Sequence, residues 1–505
     1  MNFKVKKVRK KIKEKPVKKE KTAEKTSHNL FKISKRYTIS LPIVLSLIVM
    51  FSLVFGIFKA ISSIDFTVFL EIAGEELEQD SFGHTNFLLL GTGTKDHDGG
   101  NLTDTIMVAS LDRENKLVTM LSIPRDLYVD DELVGSSKIN ENYFKARTYY
   151  DSSTAGIEHM KERIEEIVGV PIHYWVKINF DGFKDLVDAI GGVDIDVPEA
   201  IYDPYYPKDG TYEYEPFSIA AGPQHLDGET ALKYARSRKT TSDFDRAARQ
   251  QQIIYAIKEQ ALATDVILSQ QKIKSILSAI KANIETNIKV KEILTLGSFA
   301  DEFTADQIAH RLIHDDPTQC GGFVYTPIRQ YYGGQFVLIP AGGPEFLHLY
   351  SDLSLNTPNI LPANDKLHIL NGTPTAGVAG ETKQVLQRFC FDVVRFGNAR
   401  SKELTETTYY YKQRTDENGD PIESEPISLV FLQKIIPGKV STDIPQEYID
   451  AGYFTQANLV IEIGSDYTQS PDYLEDPFYY LPDAMIWSTP ASTETTTETT
   501  SNETE

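Results

Sequence analysis

Two cysteines in 505 residues are too few to carry a disulfide framework, so an apolar core has to hold the fold. Cys320 and Cys390 fall in segments assigned below to different domains, and two unpaired or buried thiols are expected rather than a pair. Positive charge is also scarce, since 52 Lys and Arg face 72 Asp and Glu for a net charge of −20. That field opposes general polyanion binding, so an anionic ligand must be caught by a local cluster. No internal repeat is visible. No recognition helix and no interleaved aromatics accompany the basic residues, which speaks against nucleic-acid recognition.

What cationic charge exists is unevenly placed. The first 36 residues hold 15 Lys or Arg against 3 Asp or Glu, a net of +12 that leaves −32 on the remainder. Such a block reads as a disordered arm. Tyr37–Phe58 then runs 22 residues without a charge, long enough at ~1.5 Å per residue to cross a ~30 Å hydrocarbon layer. A cleaved signal peptide is the competing reading, but no small-x-small cleavage site follows. The expected address is the cell membrane, single-pass, with the basic arm on the cytoplasmic side against anionic lipid headgroups and the bulk of the chain outside.

The segments NFLLLG (86–91), TIMVAS (105–110) and LVTMLSI (117–123) are short apolar runs bounded by turn residues, as in strands of a buried sheet. Ile157, Met160, Ile164 and Ile167 mark one face of a helix that Gly169 can end; Phe183, Leu186, Val187 and Ile190 mark another ending at Gly191-Gly192. A helix is expected over Asn283–Ile313, with Thr304 and Gln307 as a capping box. After a joint around Leu355–Asp365 a second unit begins, with strand LHILNG, a helix through Val385, Leu386 and Phe389, an Asn418-Gly419 turn and strand NLVIEIG. The organisation read from these signals is a basic arm (1–36), a membrane span (37–60), a connector (61–81), an α/β domain (82–350), a linker (351–365), a small α+β domain (366–465) and a disordered acidic, Thr-rich tail (466–505).

Within this acidic chain, YARSRKTTSDFDRAARQQQ (234–252) gathers Arg236, Arg238, Arg246 and Arg249. Guanidinium groups present paired donors that suit phosphate oxygens. Asp243 is a candidate N-cap, and a helix starting there would aim its N–H groups at an anion while Arg246 and Gln250, at i and i+4, share one face. The alternative is a solvated basic helix start paired to Asp243 and Asp245.

Four segments in order, NFLLLG with LTDTIMVASL (102–111), SIPRDLYV (122–129), SSKINENY (136–143) and the arginine run, resemble the LytR-CpsA-Psr family across roughly residues 82–340. LNGTPTAGVAG (370–380) is similar to a C-terminal domain attached to some of its members. The resemblance implies a layered α/β domain with a central mixed sheet and an apolar tunnel for a polyprenyl-pyrophosphate lipid. It implies a phosphotransferase that moves a glycopolymer from that lipid to peptidoglycan, assisted by Mg2+ or Mn2+. Carried over by position, Arg125, Arg236, Arg238 and Arg246 hold the phosphates, with Lys138 and Gln250 beside them. Asp104 holds the metal, and Asp104, Arg125 and Arg238 are the implied catalytic group. Phosphoryl transfer asks the protein mainly for charge stabilisation, which such groups supply.

The chain departs from the family at two places. Gly93 stands where a carboxylate is expected and Leu102 where an arginine is. Asp96 or Asp98 in TKDHDGG is the candidate substitute, Asp98 being taken as the second metal ligand; a solvated loop is the alternative. Tyr143 and Trp175 read as packing residues. Hydrolysis of the same lipid pyrophosphate and non-catalytic binding of the lipid-linked precursor are the competing functions, and the changed metal positions lend the second some weight, since losing a metal ligand can leave binding intact.

Overall fold

The computed structural model describes residues 77–94, 100–208, 213–237, 243–262, 283–289, 292, 295–296, 303–304, 307–412, 425–470, 473–474, 476 and 478. The arm, the expected span at 37–60 and the Asn418-Gly419 turn lie outside these. No helix among the described residues is long and apolar enough to cross a membrane.

The central sheet has six strands, β1 (Thr85–Thr92), β2 (Thr103–Asp112), β3 (Leu117–Ser122), β4 (Tyr174–Asn179), β5 (Ile284–Thr286) and β6 (Ile308–Leu312), in the order β5-β4-β1-β2-β3-β6. β1 runs parallel to β4 and antiparallel to β2, and β6 runs parallel to β3, so the sheet is mixed. Both faces are covered. Leu88 and Leu90 of β1 point with Ile106, Val108 and Leu121 into one core, while Phe87 points with Met107, Met120 and Val176 into the other. Alternation across two buried faces is why these strands read as unbroken apolar runs.

On the first face lie α1 (Ile139–Tyr150) and α2 (Ser153–Val168), the latter capped by Ser152 and ended by Gly169 at φ 70°. Tyr143 and Trp175 pack there as expected, at 1% and 2% exposure. On the second face lie α3 (Phe180–Ala189), α4 (Gly228–Arg236) and α5 (Asp243–Leu262). Asn179 at the end of β4 accepts the Gly182 amide at 2.8 Å, so strand turns into helix without a loop. That junction places Phe180 directly after the C-terminal end of β4.

The helix expected over Asn283–Ile313 is a correction, because both ends of the segment are strands. Ile284–Thr286 pairs with β4, helped by the Lys177–Glu285 ion pair at 2.6 Å, and Ile308–Leu312 covers the β3 edge. Thr304 and Gln307 do close on each other, the Thr304 amide donating to Gln307 Oε1 at 2.6 Å, but the turn feeds a strand.

The second unit is a five-stranded sheet, β7 (Lys366–Asn371), β8 (Asp392–Asn398), β9 (Thr408–Tyr411), β10 (Lys439–Ser441) and β11 (Leu459–Ile463), in the order β8-β7-β11-β9-β10. α6 (Pro344–Ser351) precedes it, and α7 (Val378–Arg388) and α8 (Ser428–Ile435) cover one face. Its core is continuous with the first face of the central sheet through Phe323, Phe389 and Phe431, with ring centroids 4.8 Å and 5.7 Å apart in succession. Within the stretch expected as a linker, Leu353, Leu355 and Ile360 are buried in that core. The expectation of free thiols is corrected too, since Cys320 and Cys390 form a disulfide with Cα atoms 4.6 Å apart. The packed aromatic seam brings the two assigned domains close enough for it. The tail also begins later than 466, because Tyr467 is buried and Asp476 pairs with buried Arg388.

Candidate functional site

A cavity of about 180 Å³ lies between the second face of the sheet and α3–α5, walled by Phe87, Leu89, Val176, Phe183, Ile253 and Ile257. Its lining is almost wholly apolar. Gly91 permits its approach to β2, since a Cβ there would meet Thr105 Cβ at 2.9 Å. A second cavity of about 220 Å³ adjoins it and is polar, walled by Asp104, Arg125, Asp126, Arg246, His314 and Asp315. Thr105 and Gln250 line both.

Asp104 enters from the start of β2, and its Oδ1 accepts from Arg125 Nη1 at 2.8 Å and from Asn140 Nδ2 at 3.2 Å. Arg125 sits on the turn after β3 with its Nε 3.4 Å from Asp126 Oδ2. Lys138 Nζ donates to the other oxygen of Asp126 at 2.7 Å. Lys138 therefore serves the wall of the site by neutralising Asp126 and is not among the residues lining either cavity. Arg246 and Gln250 share one face of α5 and line the polar chamber together. Arg236 instead lines the apolar cavity, its guanidinium 4.1 Å from the Phe180 ring and its Nη1 donating to Tyr206 Oη at 3.0 Å. Arg238 and Asp98 lie outside the described residues.

Arg249 is a clip and not a wall residue. Buried at 5% exposure, it donates from Nε to the Tyr234 carbonyl at 2.9 Å and from Nη2 to the Ser237 carbonyl, which ties the end of α4 to α5. Burial pulls its pKa below the ordinary arginine value, with the Tyr234 and acidic neighbours opposing.

Sequence reasoning missed Asn140, His314, Asp315 and Phe336, which reach the site wall from α1 and from beyond β6. It also missed Asp131, which anchors the loop carrying Lys138 by accepting from Asn142 Nδ2 at 2.8 Å and bonding His159 Nε2 at 2.7 Å. Burial pushes the Asp131 carboxyl up, but amide hydrogen bonds from Val134 and Leu133 with those of Asn142 and His159 outweigh it and hold the pKa at about 2. A folded-state value below the ordinary 3.8 stabilises the fold above that pH and is lost as pH falls through 2. Asp131→Asn is expected to remove roughly 2 kcal/mol at neutral pH and to flatten the acid limb of the unfolding free energy between about pH 4 and pH 2. Denaturant titrations across that range check both.

Among the described residues no group of three or more His, Cys, Asp or Glu could hold a metal ion. Magnesium, however, takes only one or two carboxylates when substrate phosphates and water complete its shell, and Asp104, with a side chain 39% exposed, fits such a role.

The LytR_cpsA_psr family pattern matches residues 67–331, just over half of the chain, and that of the LytR cell envelope-related transcriptional attenuator matches 366–467. The chain is 36% identical over 211 residues to the polyisoprenyl-teichoic acid–peptidoglycan teichoic acid transferase TagV of Bacillus subtilis, which is 41% of this chain and 50% of that protein. It is 33% identical over 208 residues to the like-named TagU of Bacillus mycoides, 40% of this chain and 60% of the other. The chain thus spans half to three-fifths of the length of these relatives. The crystal structure of B. subtilis TagV superposes with a TM-score of 0.41 at 28% identity, over 54% of this chain and 97% of that one. TagT bound to LI-WTA superposes with a TM-score of 0.37 at 23% identity, over 55% and 94%.

Proposed function

The chain belongs to the LytR-CpsA-Psr family, and on that premise we propose that it is a membrane-anchored phosphotransferase attaching a glycopolymer from a polyprenyl-pyrophosphate carrier to peptidoglycan. The observation that carries this reading is an apolar cavity that shares Thr105 and Gln250 with a polar chamber walled by Arg125, Arg246 and Asp104. The prenyl chain occupies the apolar cavity and the pyrophosphate the chamber, with Arg236 in the wall of the former and Arg238 contributing from the same run. The basic arm and the apolar run at 37–60 hold the site beside the bilayer, where the lipid is.

An acceptor hydroxyl oxygen forms a bond to the glycan-side phosphorus while the bond from that phosphorus to the bridging oxygen breaks. Polyprenyl phosphate leaves with the bridging oxygen, and the hydroxyl proton is released. Arg125 and Arg246 meet the charge that spreads over the phosphate oxygens, and their fork geometry fixes its orientation. A magnesium or manganese ion on Asp104, with Asp98 as its second carboxylate, would neutralise pyrophosphate charge when bound.

Purified full chain is expected to move label from a polyprenyl-pyrophosphoryl glycan to peptidoglycan, to lose this activity with a chelator and to regain it with Mg2+ or Mn2+. Arg246→Ala is expected to lower transfer about 10- to 100-fold, the worth of one charged hydrogen-bond donor. Phosphate release at the same rate with and without acceptor would mark a hydrolase, and tight lipid binding without turnover a binder.

A further inference from the structure

The polar chamber has two ends, and the strand order distinguishes them. Thr105 of β2 and Gln250 of α5 form the wall shared with the apolar cavity. Leu312 and Asp315 lie at and just past the end of β6, two strands from β2, or about 10 Å away. Phe336 and Leu338 line the chamber but not the apolar cavity. They are stitched to the arginine wall, since the Leu338 amide donates to the Asp126 carbonyl at 2.9 Å and the Tyr128 amide to the Leu338 carbonyl at 2.8 Å. Tyr332, at the end of the short helical turn Arg329–Tyr332, meets Tyr128 edge-on with centroids 4.8 Å apart. The Arg329 guanidinium stands 5.3 Å from the Phe336 ring.

None of these three rings lines the apolar cavity, Phe336 lines the polar chamber, and the lipid-linked donor leaves them without a task. In-line displacement places the entering and leaving oxygens on opposite sides of phosphorus. With polyprenyl phosphate leaving toward Thr105 and Gln250, the acceptor enters from the β6 side. We infer that Asp315, Tyr128, Tyr332 and Phe336 form the subsite for the acceptor saccharide, an inference that rests on the transferase reading. Partly buried aromatic faces suit the C–H face of a pyranose, and Arg329 offers paired donors to an acceptor carboxylate. Asp104 and Asp126 are each held by a cation of the site wall. Asp315 stands where the acceptor hydroxyl arrives, accepts its hydrogen bond and takes its proton as the new O–P bond forms and the bridging P–O bond breaks.

The test uses the full chain and two measurements, calorimetric binding of a peptidoglycan disaccharide-peptide without lipid donor, and transfer as a function of acceptor concentration. Tyr332→Ala is expected to raise the fragment Kd and the acceptor KM about tenfold, with affinity for polyprenyl pyrophosphate retained. Tyr332→Phe, which keeps the ring, recovers most of the loss. Asp315→Asn is expected to lower kcat and leave the fragment Kd in place. Absence of fragment binding, or fragment binding that Tyr332→Ala leaves unchanged, overturns the subsite even where transfer is intact. Ring-dependent fragment binding by a wild-type chain that transfers nothing supports the subsite and overturns the transferase reading instead.

Discussion

Arg388→Ala is expected to destabilise the protein by about 3–5 kcal/mol, because it leaves a buried carboxylate without its counter-ion. Arg388 is 2% exposed and forms a two-pronged pair with Asp476, Nη1 to Oδ1 and Nη2 to Oδ2 each at 2.7 Å. Its Nε donates to the Pro317 carbonyl at 2.7 Å, and its own carbonyl accepts the Gly321 amide at 2.8 Å. One side chain therefore holds three segments, α7, the loop after β6 and the start of the tail. The loss should fall on all three and reach the polar chamber, since His314 and Asp315 begin that same loop. Denaturant unfolding of the wild type, Arg388→Ala and the double variant Arg388→Met with Asp476→Leu separates the terms. The double variant is expected to recover most of the stability, because the cost lies in the orphaned charge and not in the missing pair. A single variant within about 1 kcal/mol of the wild type would contradict the burial argument.

Much of this architecture is legible locally. The runs at 86–91, 105–110 and 117–123 bury both sheet faces, and the stripe Ile157, Met160 and Ile164 lies fully in the core. Arg246 and Gln250 reach one wall because helical periodicity alone sets their spacing. The misread elements depend on distant partners. Ile308–Leu312 is a strand because it pairs with β3, almost two hundred residues earlier, while the turn at Thr304 and Gln307 looks the same locally whichever element follows. The pairing of Cys320 with Cys390 depends on two units sharing the seam at Phe323, Tyr350 and Phe389. No local pattern in either cysteine's neighbourhood encodes that seam. The division of the arginines is also a tertiary fact, since Arg236 and Arg246 are ten residues apart yet face different cavities. Motif reading groups them as one anion clamp, whereas the fold gives one to the apolar cavity and the other to the polar chamber.

Arg125→Ala is expected to slow transfer about 100- to 1000-fold, equivalent to roughly 2.7–4 kcal/mol of lost charge stabilisation in a preorganised site. The local structure should survive the change, because Asn140 still donates to Asp104 and Lys138 still pairs with Asp126. The loss then falls on the bound phosphate and not on the fold, which an unchanged unfolding midpoint verifies. Arg125→Lys keeps the charge but cannot reach Asp104 and Asp126 together while presenting a planar fork to phosphate, so its rate should lie between the two. The kinetic split identifies when the arginine acts. A fall in kcat with little change in the donor KM places its contribution in the transition state, whereas a rise in KM at constant kcat places it in ground-state binding. Because charge on the phosphoryl oxygens is redistributed as the bridging bond breaks, the first pattern is expected. Transfer by Arg125→Ala within threefold of the wild type would remove Arg125 from the site and leave Arg246 as the chamber's principal phosphate ligand.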